Sequence, residues 1–483
     1  MATGRLNTIG DATKMILRSL PLLWLTAATV AFAKPPNVTP PDVPVLGEVD
    51  PYLVETIYAS KDPDASLQSV QTDPRFKALI DKYDLRLFGG PMVGCVTPTS
   101  AKIWLRTSRA AKVQVVIDGH EVQSAEANTS AQHDFTAVLT LDGLQPFTNY
   151  PYDVLVNGKS ALTRPLPIFR THPKRGDPAQ FSVGFGGGAR YWSDKERVWD
   201  AIEAEDPQAM LFLGDNIYID EPDWRGKQRV MYYRRQLRPE FRRLTSSAAT
   251  YSIWDDHDFG KNDTAGGPEV LKPAWKLPVW RVFRENWVNP AYGAPPEWPG
   301  CWYDFSIGDV DFFMTDGRCY RSFRDKTMLG PVQKTWLKER LAASQATFKV
   351  ICSGTLWTEH ADKNGKDSWW GVPEEREELF ALIDQANIPG VILLSADRHR
   401  TDIYRIKRPD GYDLYEFETS KLTNDHTHPT RKQAEFSYNQ GNFFGLLKFD
   451  LAAKDPTVTF ECISIDGELI HRFQLKRSQL ENN

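Results

Sequence analysis

Apolar and polar positions alternate in short bursts between Leu87 and Thr171, then the texture changes after His172 to largely apolar blocks of four to six residues. The alternating segments 101–106, 113–117, 135–141 and 152–156 are separated by the turn pairs Asp118-Gly119, Asp142-Gly143 and Asn157-Gly158. This predicts a small antiparallel sandwich of immunoglobulin-like type. The blocks 181–185, 209–213, 251–254, 310–315, 347–352 and 390–395 predict buried strands. A helix is expected over 373–386, and Ser193 with Glu196 reads as a capping box opening another through Val198, Trp199 and Ile202. Strands alternating with helices make this part α/β, with polar residues gathered just past strand ends, where such sheets place their sites. The tail segments 445–449, 458–463 and 469–475 return to hairpin texture and are expected to close a second sheet.

The start of the chain breaks this pattern. Lys14 and Arg18 precede an apolar run from Leu20 to Phe32 that ends in Ala31-Phe32-Ala33. A basic flank, a short apolar core and a small-x-small site predict a secretory signal peptide over 1–33, using the general route because no twin arginine precedes it. Residues 34–83 read as a Pro-rich linker followed by a short helix around Phe76, Leu79, Ile80 and Tyr83. The sandwich domain is then 84–174 and the α/β domain 175–483. Net charge is −5, so specific nucleic-acid binding is not expected and any anion site must be local. Cys95, Cys301, Cys319, Cys352 and Cys462 form no CxxC pair, which disfavours a zinc ribbon. A monomer is expected.

Three strand ends carry the chemistry. The block 209–213 stops at Gly214 and is followed by Asp215, Asn216 and Tyr218. Carboxylate, carboxamide and phenolate oxygens suit a hard cation, and a phenolate favours a strongly Lewis-acidic one such as ferric iron; a capped turn is the bland use of the same residues. After the strand ending at Ile253 come Asp255, Asp256, His257, Asp258 and Asp263. Carboxylates so crowded repel unless cations neutralise them, and His257 is a candidate to protonate a leaving group. The third end delivers Asp397, Arg398, His399 and Arg400, where arginine could grip phosphate oxygens. A fourth segment, with Asp316 and Arg318, is expected only to hold its loop. Paired cations, an imidazole and arginine together imply hydrolysis of a phosphate ester by metal-activated hydroxide.

The ordered set Gly214-Asp-Asn-x-Tyr218, Trp254-Asp-Asp-His-Asp-Phe-Gly-x-Asn-Asp263, Leu329-Gly-Pro-x-Gln-x-x-Trp-Leu337 and Ser395-Ala-Asp-Arg-His399 resembles the PhoD-like alkaline phosphatase family of calcineurin-like metallophosphoesterases. The resemblance runs from about residue 87 to the end. It implies a four-layer α/β/β/α catalytic domain, a ferric iron with one or two calcium ions, and hydrolysis of small or polymeric phosphate mono- or diesters in the periplasm or outside the cell. It places Asp215 as a metal-bridging aspartate, Tyr218 as the iron-binding tyrosine, and Asp255, Asp256 and His257 in the second metal motif. Asp397 and His399 fall in the last motif, as metal ligand and phosphate contact. One position departs: the family carries Gly-Ser-Cys after its first catalytic strand, with the cysteine on iron, and here Gly186 stands where that thiolate is expected. Calcium or manganese is then an alternative to iron. A degenerate phosphate- or surface-binding protein on the same fold is the second reading. No Gly-x-Ser-x-Gly elbow supports a serine esterase.

Overall fold

The computed structural model describes residues 43–118, 125–361 and 365–482; the expected signal peptide lies outside them. Among the described residues no helix is long and apolar enough to cross a membrane.

The segment expected to be linker is helical from Pro44. Proline suits the first turn of a helix, where its missing N–H has no partner to lose, and it opens Pro44–Leu53, which continues into a wider-wound turn, Val54–Tyr58. Asp73 caps Pro74–Lys82 by accepting from the Arg75 N–H at 2.8 Å. Leu46, Leu53, Ile57, Phe76 and Ile80 share a core with Val230, Tyr233 and Leu237 on or just beyond the helix Arg225–Gln236. Inside it, buried Asp50 accepts from Arg234 with both oxygens, at 2.7 and 2.8 Å. The Pro- and Asp-rich composition hid this packing.

The alternating segments form two antiparallel sheets. Leu87–Gly94, Ser100–Thr107 and Thr136–Asp142 make one; Lys112–Ile117 and Asn149–Val156, with shorter strands beside them, make the other. Val113, Val115, Tyr152 and Val154 are buried together with Ile103 and Leu105, as period-2 patterning requires. Trp104 Nε1 donates to the Glu285 carbonyl (2.9 Å) and Tyr152 to the Ser246 carbonyl (2.9 Å), tying these sheets to the α/β part.

The α/β part has two sheets, the inner layers of a four-layer α/β/β/α stack. The six-stranded sheet runs Ala249–Ile253, Ala209–Leu213, Gln180–Gly186, Phe443–Asp450, Thr457–Ser464, Leu469–Lys476. Its first three strands are parallel, and the C-terminal hairpins add antiparallel strands. The seven-stranded sheet runs Tyr303–Ile307, Val310–Met314, Phe348–Cys352, Val391–Ser395, Leu414–Thr419, Thr401–Ile406, Phe436–Tyr438. Phenylalanines join the two: Phe417 stacks on Phe460 at 4.8 Å between centroids, and Phe312 and Phe348 meet Phe449 at 6.2 and 5.7 Å. Burying each such ring contributes roughly 1.5–3 kcal/mol. The expected capping box at Ser193 does not form. The helix begins at Val198, because the buried Glu196 carboxylate instead meets Arg235 at 3.0 Å and Trp199 Nε1 at 2.7 Å.

Candidate metal centre

Two neighbouring parallel strands of the six-stranded sheet end at Leu213 and Ile253, and the Val391–Ser395 strand of the other sheet ends beside them. The chain then turns sharply: φ is +105° at Gly214, +52° at Asp215, +83° at Asp397 and +48° at His399. Left-handed backbone at a non-glycine residue costs on the order of 1–3 kcal/mol and persists where the surroundings impose it, often at functional sites. Gly214 shows why the ends can touch. A Cβ there would lie 2.5 Å from the Asp255 Cβ and 2.7 Å from its amide nitrogen.

Asp256 sits at the centre. Its carboxylate lies with ligand atoms of Asp215 and His257, with those of Asp255 and Asp397, and with those of Asp263 and Asp367, each set within 4.8 Å. Tyr218 donates its hydroxyl to Asp215 Oδ2 at 2.8 Å and accepts from Asn424 Nδ2 at 2.7 Å. Its ring stacks on His257 at 4.2 Å, while Asp220 accepts at His257 Nδ1 at 2.6 Å. Asp258 takes no place in these sets. It accepts from the N–H groups of Asn216, Ile217 and Asp255, and so folds the two loops onto each other.

Burial raises the Asp215 carboxyl, and Asp256 beside it adds to the effect. Burial also lifts Asp255, to about 7 against the pull of Arg318, and Asp397, to about 6 against the pull of Arg398. Burial would depress His257, yet Asp215, Asp220 and Asp256 outweigh it and hold the imidazole up at about 10. His399 goes well below its usual range through burial, with His428, His426 and His257 adding to it. Crowded buried carboxylates short of positive charge are the donor set a hard cation fits. The carboxylates of Asp215, Asp255, Asp256 and Asp397 therefore suit one or more such ions.

Two residues exceed what the sequence suggested. Arg318, expected only to hold a loop, lies fully buried between Asp255 (2.5 and 2.8 Å) and Asp367 (2.7 and 3.2 Å). Asp367 also pairs with Arg321, and no pattern singled it out because it follows an ordinary polar stretch of sequence. Asp316 behaves as expected, accepting from Trp254 Nε1 and from the N–H groups of Cys301, Arg318 and Cys319.

Other expectations change. A side chain at Gly186 would run into Leu422, at 3.0 Å, so a thiolate there would face an apolar side chain and not Asp215. The next two glycines lie nearer the strand ends: a Cβ at Gly187 would be 3.0 Å from the Gly214 carbonyl oxygen, and one at Gly188 3.3 Å from His399 Nδ1. Arg398 is buried and donates to the Asp367 carbonyl at 3.0 Å, with Asp397 at 3.2 Å; it serves those carboxylate loops instead of reaching outward for phosphate. His399 joins none of the carboxylate sets and faces His426 and His428. Trp357 and Trp369 are buried and stack at 4.1 Å between ring centroids. All five cysteines are free thiols.

The family model described as PhoD-like phosphatase matches residues 184–460, more than half of the chain and all three strand ends. The chain belongs to the PhoD-like phosphatase family. A second model, a domain of unknown function, matches residues 84–173. Alkaline phosphatase D of Bacillus subtilis is 22% identical over 310 residues, 53% of this chain and 52% of that protein. An uncharacterized protein of Mycobacterium tuberculosis is 24% identical over 333 residues, 63% of this chain and 55% of the relative. The chain thus spans about half the length of the curated relatives it matches. The solved structure of PhoD superposes with a TM-score of 0.69 at 16% identity, covering 81% of this chain and 90% of that one. The purple acid phosphatase PPD1 from yellow lupin superposes at 0.59 and 13% identity, covering 80% and 75%. At these identities the likeness is one of fold. In this PhoD-like chain the matched stretch contains Asp215, Tyr218, Asp255, Asp256, His257, Asp397 and His399.

Proposed function

We propose that this chain is a metal-dependent hydrolase of phosphate mono- or diesters. The observation that carries the reading is Asp256, shared by three carboxylate sets where strands of two sheets end together. Membership in the PhoD-like phosphatase family supports it.

Asp215, Tyr218 and Asp256 would hold one cation, and Asp255, Asp256 and Asp397 a second. Bound there, hard cations neutralise the carboxylates, polarise a phosphoryl oxygen and acidify water. His257 is the group to protonate the leaving oxygen. Asp220 engages its Nδ1, which leaves Nε2 to donate. The Tyr218 ring stacked against it restricts its rotation. Arg318 keeps Asp255 from being a lone buried charge. Action outside the cytoplasm rests on the basic and apolar start of the chain, residues 14–33.

The test is hydrolysis of p-nitrophenyl phosphate and bis(p-nitrophenyl) phosphate with added iron, calcium or manganese. His257→Ala should lower the rate about 10²–10⁴-fold, the usual worth of a general acid. Equal rates for wild type and variant with every metal would sink the reading. The glycine run 186–188, which offers no thiolate, favours a second reading in which the fold binds phosphate without turning it over. Saturable phosphate binding without hydrolysis would select it.

A further inference from the structure

The floor of the centre is acidic, but one side of its mouth is basic. Arg190 is exposed and lies over the Tyr218 ring, 5.7 Å from its centroid, with no carboxylate paired to it among the described residues. Across Tyr218, Asn424 donates to the phenol oxygen and accepts from the His426 N–H at 3.0 Å. His426 and His428 stand 4.8 Å apart and cluster with His399 at 5.3 and 5.9 Å. His399 Nδ1 is buried with no hydrogen-bond partner among the described residues.

These groups belong to two loops stitched together. The N–H groups of Thr423 and Asn424 donate to the Gly188 carbonyl (3.2 and 3.1 Å), and the Thr423 hydroxyl donates to the Arg190 carbonyl at 2.5 Å. Thr427 donates to the His399 carbonyl at 3.3 Å, and Asn439 Nδ2 to the His428 carbonyl at 3.0 Å. The imidazoles are therefore held against the site by the chain that carries them. Asp425 is the one carboxylate of that short loop and is exposed; Asp220 across the mouth is engaged by His257. A single phosphoryl group on the carboxylate-bound cations would leave Arg190 and the exposed imidazole of His426 unused. A guanidinium fork and imidazole N–H donors are the groups that take up a further phosphate-like anion.

We propose that Arg190, His426 and His428 bind a second anionic group of the substrate, so that the centre prefers phosphate compounds carrying two neighbouring phosphate-like groups over simple monoesters. This rests on the phosphoester-hydrolase reading. The probes are methylenediphosphonate and methylphosphonate, used as competitive inhibitors of p-nitrophenyl phosphate hydrolysis at buffered free metal. Arg190→Ala with His426→Ala should weaken methylenediphosphonate at least about tenfold while changing methylphosphonate less than about twofold, the loss of one to two charge-assisted contacts. Equal weakening of both probes, or of neither, would overturn the proposal. Calorimetric titration of both probes into wild type and the double variant needs no turnover. If wild type proves inactive, the hydrolase reading fails while the same ratio of affinities still decides for or against the basic rim.

Discussion

Replacing Arg318 with leucine removes the cation between two buried carboxylates. The side chain is fully buried, and Asp255 and Asp367 are almost as inaccessible, so water cannot substitute for the lost partner. Breaking a buried pair by deleting one partner costs about 3–5 kcal/mol, since it strands the other charge. Arg318 holds the Asp367 carboxyl well below the usual range despite burial and opposes the burial that lifts Asp255 to about 7, so both carboxyls should rise without it. Arg321 remains beside Asp367, which puts the expectation at the lower end, about 3 kcal/mol. The assay is urea unfolding with excess chelator, so that no added cation replaces the guanidinium. Asp367→Asn supplies the second half of a double-mutant cycle. In its background Arg318→Leu should cost less, with a coupling on the order of 1–3 kcal/mol. A loss below about 1 kcal/mol, or additivity within about 0.5 kcal/mol, would show that Arg318 is no such keystone.

Two further outcomes follow from the same geometry. Gly214→Ala forces a side chain into left-handed backbone and against Asp255, and should cost more than about 2 kcal/mol in thermal unfolding; an unchanged melting temperature would contradict the close approach of the two strand ends. His172 is fully buried and accepts from Gln208 Nε2 at Nδ1 (3.0 Å), with the Tyr251 hydroxyl at Nε2 (3.2 Å), and burial lowers it from 6.5 to about 3. Between those values the unfolded chain binds the extra proton, so stability falls as pH falls from 6.5 towards 3, by on the order of 4 kcal/mol from this group. His172→Gln should flatten that acid slope in unfolding midpoints, and parallel slopes would refute the assignment.

The three chemical strand ends were readable because each pairs a largely apolar block with an abrupt stop at Gly or Asp, and such stops carry polar side chains outward from a sheet edge. The helical lead-in was not. Its prolines at 44 and 51 resemble linker composition, and only the apolar face of Arg225–Gln236 reveals what Leu46 and Leu53 cover. The weight of Asp367 and Arg318 was hidden for a related reason: Arg318 meets Asp255 from 63 residues away and Asp367 from 49, which no local pattern encodes. The glycine run was noticed, but which glycine faces the site depends on strand pleat, and the backbone turns Gly186 toward Leu422.

The measurement closest to the central claim is the metal stoichiometry of the purified chain by equilibrium dialysis, compared with Asp256→Asn. One side-chain change at the residue common to all three carboxylate sets should abolish or sharply weaken cation binding while leaving the folded core intact by circular dichroism. Unchanged stoichiometry and affinity in the Asp256→Asn chain would contradict a shared metal centre at the strand ends.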